Sequence, residues 1–364
     1  MSFIVLILTP LTIVIGFLLP TGTAKRIFTS VGNYWLGISL YMLIAVGICD
    51  LIRLILKIVL KDKYMSIDKM CKKISNVIVV LFTLIMSIYG ISNAHNLQIS
   101  KYDIETEKIS AVQDINVVLI SDLHLGYNVG TKEMINMVDK INSLNPDVVV
   151  MAGDLFDNEY EALDNPEELA TILSGIKSKY GNYAVYGNHD IQEKILCGFT
   201  FSWGKNKGDV VSTKEMDEFV TKSGFTFLYD DYIKINDENG ETVAYIYGRP
   251  DYEKPNFGNS TRKEPKYITK EINNDNYIIC VDHEPRELNE LAEAGVDLDL
   301  NGHTHNGQVW PGTYTINLFW DNAYGLKYYG DMADIVTSGV GLFGPNMRTG
   351  CKAEIAEIFV HFNK

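Results

Sequence analysis

The chain has 364 residues, of which 46% are hydrophobic and 21% charged, with 29 Gly and 10 Pro. That balance excludes a disordered, collagenous or low-complexity polymer. Charge is divided along the chain: residues 1–92 hold nine bases against three acids, a net +6, so of the total of −14 the remainder carries −20. A remainder this acidic repels phosphate backbones, and no nucleic acid is expected as a partner.

The first elements are apolar. Ser2–Leu19 has no ionisable side chain. It lacks the basic start and small-residue cleavage site of a signal peptide, and it predicts a spanning helix bent at Pro10. Val31–Cys49 is a second uncharged run, opening on Tyr34 and Trp35, which suit a membrane–water interface. Arg53 and Lys57 on the otherwise apolar stretch Leu51–Leu60 predict an amphipathic extension among headgroups. Ile74–Ser92 is a third uncharged run. Residues 1–92 therefore read as a transmembrane helical module of about three spans, in preference to a buried helical hairpin. Lys61, Lys63, Lys69, Lys72 and Lys73 lie between the second and third runs, against Lys25 and Arg26 between the first and second. The positive-inside rule then places the richer loop and the N-terminus in the cytoplasm, and everything after Ser92 on the extracytoplasmic side of the cell membrane.

Residues 93–114 turn polar and read as an exit linker or edge strand. From 115 to 364 strands alternate with helices. Strands are predicted at Ile115–Ile120, Val148–Met151, Tyr183–Tyr186, Val243–Tyr247, Tyr277–Val281, Asp297–Leu300, Ile335–Thr337 and Ile355–Val360. Helices are predicted at Lys132–Leu144 and Pro166–Lys177. The fold class is α/β, helices flanking a sheet or sheet pair. The five cysteines, Cys49, Cys71, Cys197, Cys280 and Cys351, have no CxxC spacing and suggest neither a zinc ribbon nor a disulfide framework.

Polar residues gather where strands end: Ser121-Asp122-Leu123-His124, Gly153-Asp154-Leu155-Phe156-Asp157, Gly187-Asn188-His189-Asp190, Asp282-His283 and Asn301-Gly302-His303-Thr304-His305. In α/β sheets sites form beyond the carboxyl ends of strands, so clusters distant in sequence are expected to converge. Five of the seven histidines lie in them. Imidazole, carboxylate and carboxamide together suit divalent first-row metals, and the donors outnumber what a single ion needs.

Asp-x-His, Gly-Asp, Gly-Asn-His-Asp, a single His and Gly-His-Thr-His, in that order, resemble the calcineurin-like metallophosphoesterase superfamily over roughly Ile115 to Phe359. The ending Gly302–Gln308, the stretch Gly339-Val340-Gly341 with Arg348, and the apolar N-terminus are similar to its bacterial, membrane-anchored envelope branch. The resemblance implies a metallophosphoesterase-type α/β sandwich and two divalent metals, Mn, Fe, Zn or Co. Asp122, His124, Asp154 and His305 would hold one. Asp154, Asn188, His283 and His303 would hold the other, with Asp154 bridging. His189 would contact the substrate phosphate or protonate the leaving oxygen, and Asp190 would orient it. Asp282 is either an anchor behind the ligands or exposed; Arg348 either reaches the phosphate or is a surface base.

The implied activity is hydrolysis of a phosphodiester, pyrophosphate or phosphomonoester by metal-activated hydroxide, with no protein nucleophile. A membrane sensor or scaffold that uses the fold for binding alone is the alternative. Two aromatic groups, Phe199, Phe201 and Trp203, and Tyr314, Phe319, Trp320, Tyr324, Tyr328 and Tyr329, read either as packing of a capping subdomain or as an apolar wall gripping a lipid or envelope phosphoester.

Overall fold

The computed structural model describes residues 9–196, 199–201, 211–254 and 261–363. The chain opens with α1 (Leu11–Leu18), α2 (Thr23–Leu60), 38 residues long, and α3 (Tyr64–Ala94), 31 residues long. The second apolar run and its amphipathic extension form one continuous helix. α1 folds back onto it, with Gly16 against Thr29 and Gly32 against Ile13. Most of the first run's N-terminal half, residues 1–8, lies outside the described residues. On length and mean hydropathy taken together, no helix among the described residues is long and apolar enough to cross a membrane. Yet the hairpin leaves Leu43, Val46, Ile48, Val77, Val80, Leu84 and Ile88 exposed. So much bare apolar surface is abnormal in water.

There follow β1 (Leu97–Ile109), β2 (Asp114–Ile120), α4 (Thr131–Ser143), β3 (Val148–Ala152), α5 (Pro166–Leu173) and β4 (Asn182–Val185), then β5 (Lys194–Leu196) and β6 (Phe199–Phe201). α6 (Lys214–Lys222), β7 (Thr226–Phe227), β8 (Asp231–Asn236), β9 (Thr242–Gly248), α7 (Pro265–Ile268), β10 (Ile278–Val281), α8 (Leu288–Glu293) and β11 (Leu298–Asn301) come next. α9 (Gly312–Thr315), β12 (Gly325–Tyr329), β13 (Met332–Val336) and β14 (Ala353–Asn363) complete the order. One six-stranded sheet runs β1-β14-β2-β3-β4-β7 and a second runs β12-β13-β11-β10-β9-β8.

Side-chain alternation builds the layers. Ile115, Val117 and Leu119 of β2 face Val281, Leu300 and Ile335 in the core between the sheets. Val118 and Ile120, one residue out of step, face α4, α5 and α6 through Met134, Leu169 and Phe219. A third core under α7 and α8 covers the outer face of the second sheet. The result is helix, sheet, sheet, helix. Within each sheet the site-bearing strands β2, β3 and β4, and β9, β10 and β11, run parallel. Their carboxyl ends therefore open on one edge of the sandwich. α5 stops at Leu173, short of the expected Lys177, because Ser174-Gly175 ends it. The exit segment holds a 13-residue strand that pairs with β14 at the edge of the first sheet.

Candidate metal centre

The strand tips are laced together by their backbones. Asp122 N donates to Gly153 O at 3.0 Å, His124 N to Asp154 O at 3.0 Å, and Gly302 N to His283 O at 3.0 Å. His303 N donates to the Asp122 carboxylate at 3.1 Å and His189 N to Asp154 Oδ1 at 2.8 Å. Asp122, His124, Asp154, His303 and His305 all have positive φ, between 45° and 68°. A non-glycine residue in this region costs stability and marks a position held for its side chain. Gly302 is required here, because a Cβ would run into Ser121 and Asp122.

All seven expected ligands meet. His305 Nε2 is 3.3 Å from Asp122 Oδ1 and 3.0 Å from His124 Nε2. His283 Nε2 is 3.2 Å from Asp154 Oδ2 and 3.1 Å from Asn188 Oδ1, and His303 Nδ1 is 2.9 Å from Asn188 Oδ1 and 3.2 Å from His283 Nε2. Asp154 Oδ2 is also 3.7 Å from His124 Nε2, so it lies between the two groups. Two bonds of ~2.1 Å at 90–110° separate their donor atoms by ~3.0–3.4 Å. The histidine pairs here have that spacing. The donors therefore fit two cations, one per group.

The electrostatics differ from donor to donor. Burial pushes the Asp122 carboxyl up. Burial also pushes His303 and His305 well below the usual imidazole range, helped by His283 and by His124 respectively, so both are neutral, as ligands must be. Burial opposes charge on His283 too, but Asp154, Asp122 and Asp251 together outweigh it and hold that ring well up. His283 Nδ1 is 2.8 Å from Ala152 O, which fixes the tautomer and aims Nε2 at the site.

His189 joins the cluster, its ring 5.1 Å from that of His124, and burial lowers it to about 4. Its Nδ1 pairs with Asn158 Oδ1. Asp190 does not orient it: its oxygens accept from Phe156 N at 2.9 Å and Gly187 N at 2.8 Å, bracing the loops instead. Arg348 does not lie on the surface, and its amino groups are taken up by backbone carbonyls. It is wholly buried, and its amino groups donate to the carbonyls of Ser338, Gly339, Gly341 and Lys352, because that loop turns its carbonyls inward. Asp282 is an anchor, wholly buried against Arg249 at 3.0 Å and Arg262 at 2.7 Å.

Asp157, the last residue of the Gly153–Asp157 cluster, was given no role in the sequence reading; its carboxylate is 3.5 Å from His124 Nδ1. Asn158 escaped that reading altogether, although it directly follows the same cluster.

A cavity of about 600 Å³ opens over the centre. Asp154, Asn188, His189, His303 and His305 form its floor, and Val309, Ile316, Trp320, Phe343 and Pro345 an apolar wall. Of the second aromatic group only Trp320 lines it; Tyr324 bonds Glu354 and Tyr329 is buried on β12. Trp203 and the side chains of Phe199 and Phe201 lie outside the described residues.

Residues 115–307 match the family model for calcineurin-like phosphoesterase. The chain belongs to that family, a class of metal-dependent phosphoester hydrolases. It is 29% identical over 272 residues to an uncharacterized metallophosphoesterase of Aquifex aeolicus, covering 74% of this chain and 94% of that one. It is 28% identical over 295 residues to a transmembrane protein with metallophosphoesterase domain of Danio rerio, covering 78% of this chain and 62% of that one. Among solved structures, a 5'-nucleotidase precursor of Thermus thermophilus aligns at a TM-score of 0.38 with 13% identity, over 68% of this chain and 54% of that one.

Proposed function

We propose that the protein is a membrane-anchored, two-metal phosphoesterase acting on an amphipathic phosphodiester, pyrophosphate or phosphomonoester. The convergence of seven donors at ligand spacing carries this reading. Asp122, His124, Asp154 and His305 would hold one ion, and Asp154, Asn188, His283 and His303 the other. Such a pair, when bound, supplies a water of lowered pKa and neutralises phosphoryl charge. His189 has Nδ1 held by Asn158 and Nε2 left for the cavity. Its neutral ring gains a proton when an anionic substrate raises its basicity, and hands it to the leaving oxygen. Asp157 steadies His124 from behind the centre.

The helices support the anchor. No described helix has the length and mean hydropathy together that a crossing asks for, but Ile27–Cys49 and Ile74–Ala94 contain no Asp, Glu, Lys or Arg. The outward side chains of these stretches are bare, as an apolar surrounding requires. Both inner ends of the hairpin touch the catalytic part, at Lys25–Glu159 and at Asn93 with Arg348 O and Cys351 O. The basic turn Lys61–Lys63 is at the far end. The positive-inside rule then puts the turn in the cytoplasm and the metal centre outside.

The test is an activity screen of the full chain in detergent with Mn²⁺, across monoesters, diesters and lipid pyrophosphates, alongside His189→Ala. The variant should keep its metal content and lose turnover by roughly 10²–10⁴-fold. A protein that binds both metals and turns over none of these esters is the binding scaffold instead.

A further inference from the structure

Next to the cavity, residues 312–320 contain no charged side chain. Tyr314, Leu318 and Phe319 are 73%, 79% and 73% exposed, an unusual concentration of bare apolar groups on nine residues. The same segment turns inward through Ile316 and Trp320, which line the cavity. Trp320 and His303 pack as an edge-to-face pair at 4.9 Å, and the Arg286 guanidinium lies over the Trp320 ring at 4.1 Å. Apolar side chains thus run from open surface, through Ile316 and Trp320, to the side chains of the metal centre.

Its position identifies what covers the outer part. Tyr41 of α2 donates to Trp310 O at 3.0 Å and bonds Thr349, and Thr313 packs against Gly350. Beyond Tyr41 the α2 side chains Leu43, Val46 and Ile48 are exposed. The bare segment and the bare helix surface therefore adjoin and would share one apolar medium. A water-soluble partner protein would have to cover both at once.

We infer that Gly312–Trp320 is a membrane-contact segment that opens the metal cavity sideways to the bilayer, so that the phosphoester taken is one carried on a lipid of the adjoining leaflet. This rests on the phosphoesterase reading and deepens it. Acyl chains stay along Leu318, Phe319 and the apolar wall, while the headgroup reaches the donors past Trp320. Attack by water at phosphorus breaks one P–O bond; the phosphoryl keeps the water's oxygen, the oxygen leaving with its electron pair takes the proton that His189 has gained, and the proton lost by the water passes to solvent, which restores the balance.

The experiment reconstitutes the full chain with Mn²⁺ in vesicles of phosphatidylethanolamine and phosphatidylglycerol containing a diazirine-tailed phospholipid. After irradiation, lipid adducts are mapped by peptide mass spectrometry. Adducts on 312–320 as well as on α2 and α3 are expected. Adducts on the helices alone overturn the inference and spare the anchor; adducts on neither overturn both. In a second arm, Leu318→Asp with Phe319→Asp should cut hydrolysis of vesicle-borne phospholipid by ~10-fold or more, since removing buried apolar contact weakens interfacial docking. Hydrolysis of soluble bis-p-nitrophenyl phosphate and metal content should stay as in the unmodified protein. Equal effects on both substrates, or unmodified protein that cleaves only the soluble ester, overturn the lipid assignment. Unmodified protein inert toward both esters overturns the phosphoesterase reading itself.

Discussion

The two halves of the metal centre are braced by different chemistry. Behind His305 stands Arg348, whose guanidinium is spent on four backbone carbonyls and whose Nη2 lies 3.4 Å from His305 Nδ1. Behind His283 stands Asp282, which accepts from His283 N at 2.8 Å and is clamped by Arg249 and Arg262, themselves shared with Glu287. The first brace is an uncompensated cation. After burial and His124, it helps keep His305 neutral. The second is a charge-balanced network of two acids and two bases. The first is also tied to the helices, since Arg348 N donates to Gly90 O at 3.0 Å and Asn93 holds its carbonyl. A cation facing carbonyls has no substitute; a network has spare members.

The site common to both halves gives the largest expected effect. Asp154→Asn removes the carboxylate that lies between the two groups of donors, so both metals should be lost and activity should fall to background. Metal-to-protein ratio by elemental mass spectrometry checks this. Retention of two ions would break the picture of two halves sharing one bridge.

Arg348→Met comes next, and it separates the halves. It leaves inward carbonyls without donors, which should cost about 3 kcal/mol of stability or more, since each buried acceptor left unpaired costs roughly 1–3 kcal/mol. The ion beside His305 should weaken by ~10–100-fold, as when ligand supports are removed elsewhere. The ion beside His283 should be nearly unchanged. Chemical denaturation in detergent and metal titration report the two effects. Asp282→Asn is the counterpart. Glu287 then faces Arg249 and Arg262 as one acid against two bases, but the amide oxygen left at the position still accepts from both guanidinium groups, so the loss should be smaller, about 1–3 kcal/mol, with weakening confined to the ion beside His283. Equal effects of the two variants on both ions would erase the contrast.

How much of this was legible in the sequence follows from what is local. β2, β3 and β10 are short apolar runs buried on both faces, and such runs announce themselves. The ligands follow directly on those strands, so their convergence was readable from parallel topology alone. β8 and β12 were not foreseen, because edge strands mix apolar positions with exposed ones such as Lys234 and Lys327. α6 escaped notice although its Thr213 cap accepts from Met216 N. The partners of His189 and Arg348 escaped for a different reason. Asn158 and His189 lie 31 residues apart, and the carbonyls around Arg348 are inward only because the loop 338–352 folds over it. Nothing in a one-dimensional spacing states which way a carbonyl points.

The smallest effect tests whether the second half is as well balanced as its network suggests. Beneath His303, β11 buries Asp299 completely, with Asn301 Nδ2 donating to it at 2.8 Å and its other oxygen unpaired. Burial, then the charge of Asp282, pushes Asp299 up to about 6 from an ordinary 3.8. The folded state therefore holds a proton there that the unfolded state has released. Stability from this group is full below pH ~4, declines as pH rises toward 6, and is level above that, since the slope follows the difference in bound protons. Asp299→Asn mimics the protonated form and keeps an oxygen for Asn301. It should flatten that decline and make the protein modestly more stable at pH 7 relative to pH 4, read as the midpoint of denaturation at each pH. A variant that keeps the parent's slope would mean that the acid is charged throughout, and that this half holds an unbalanced charge after all.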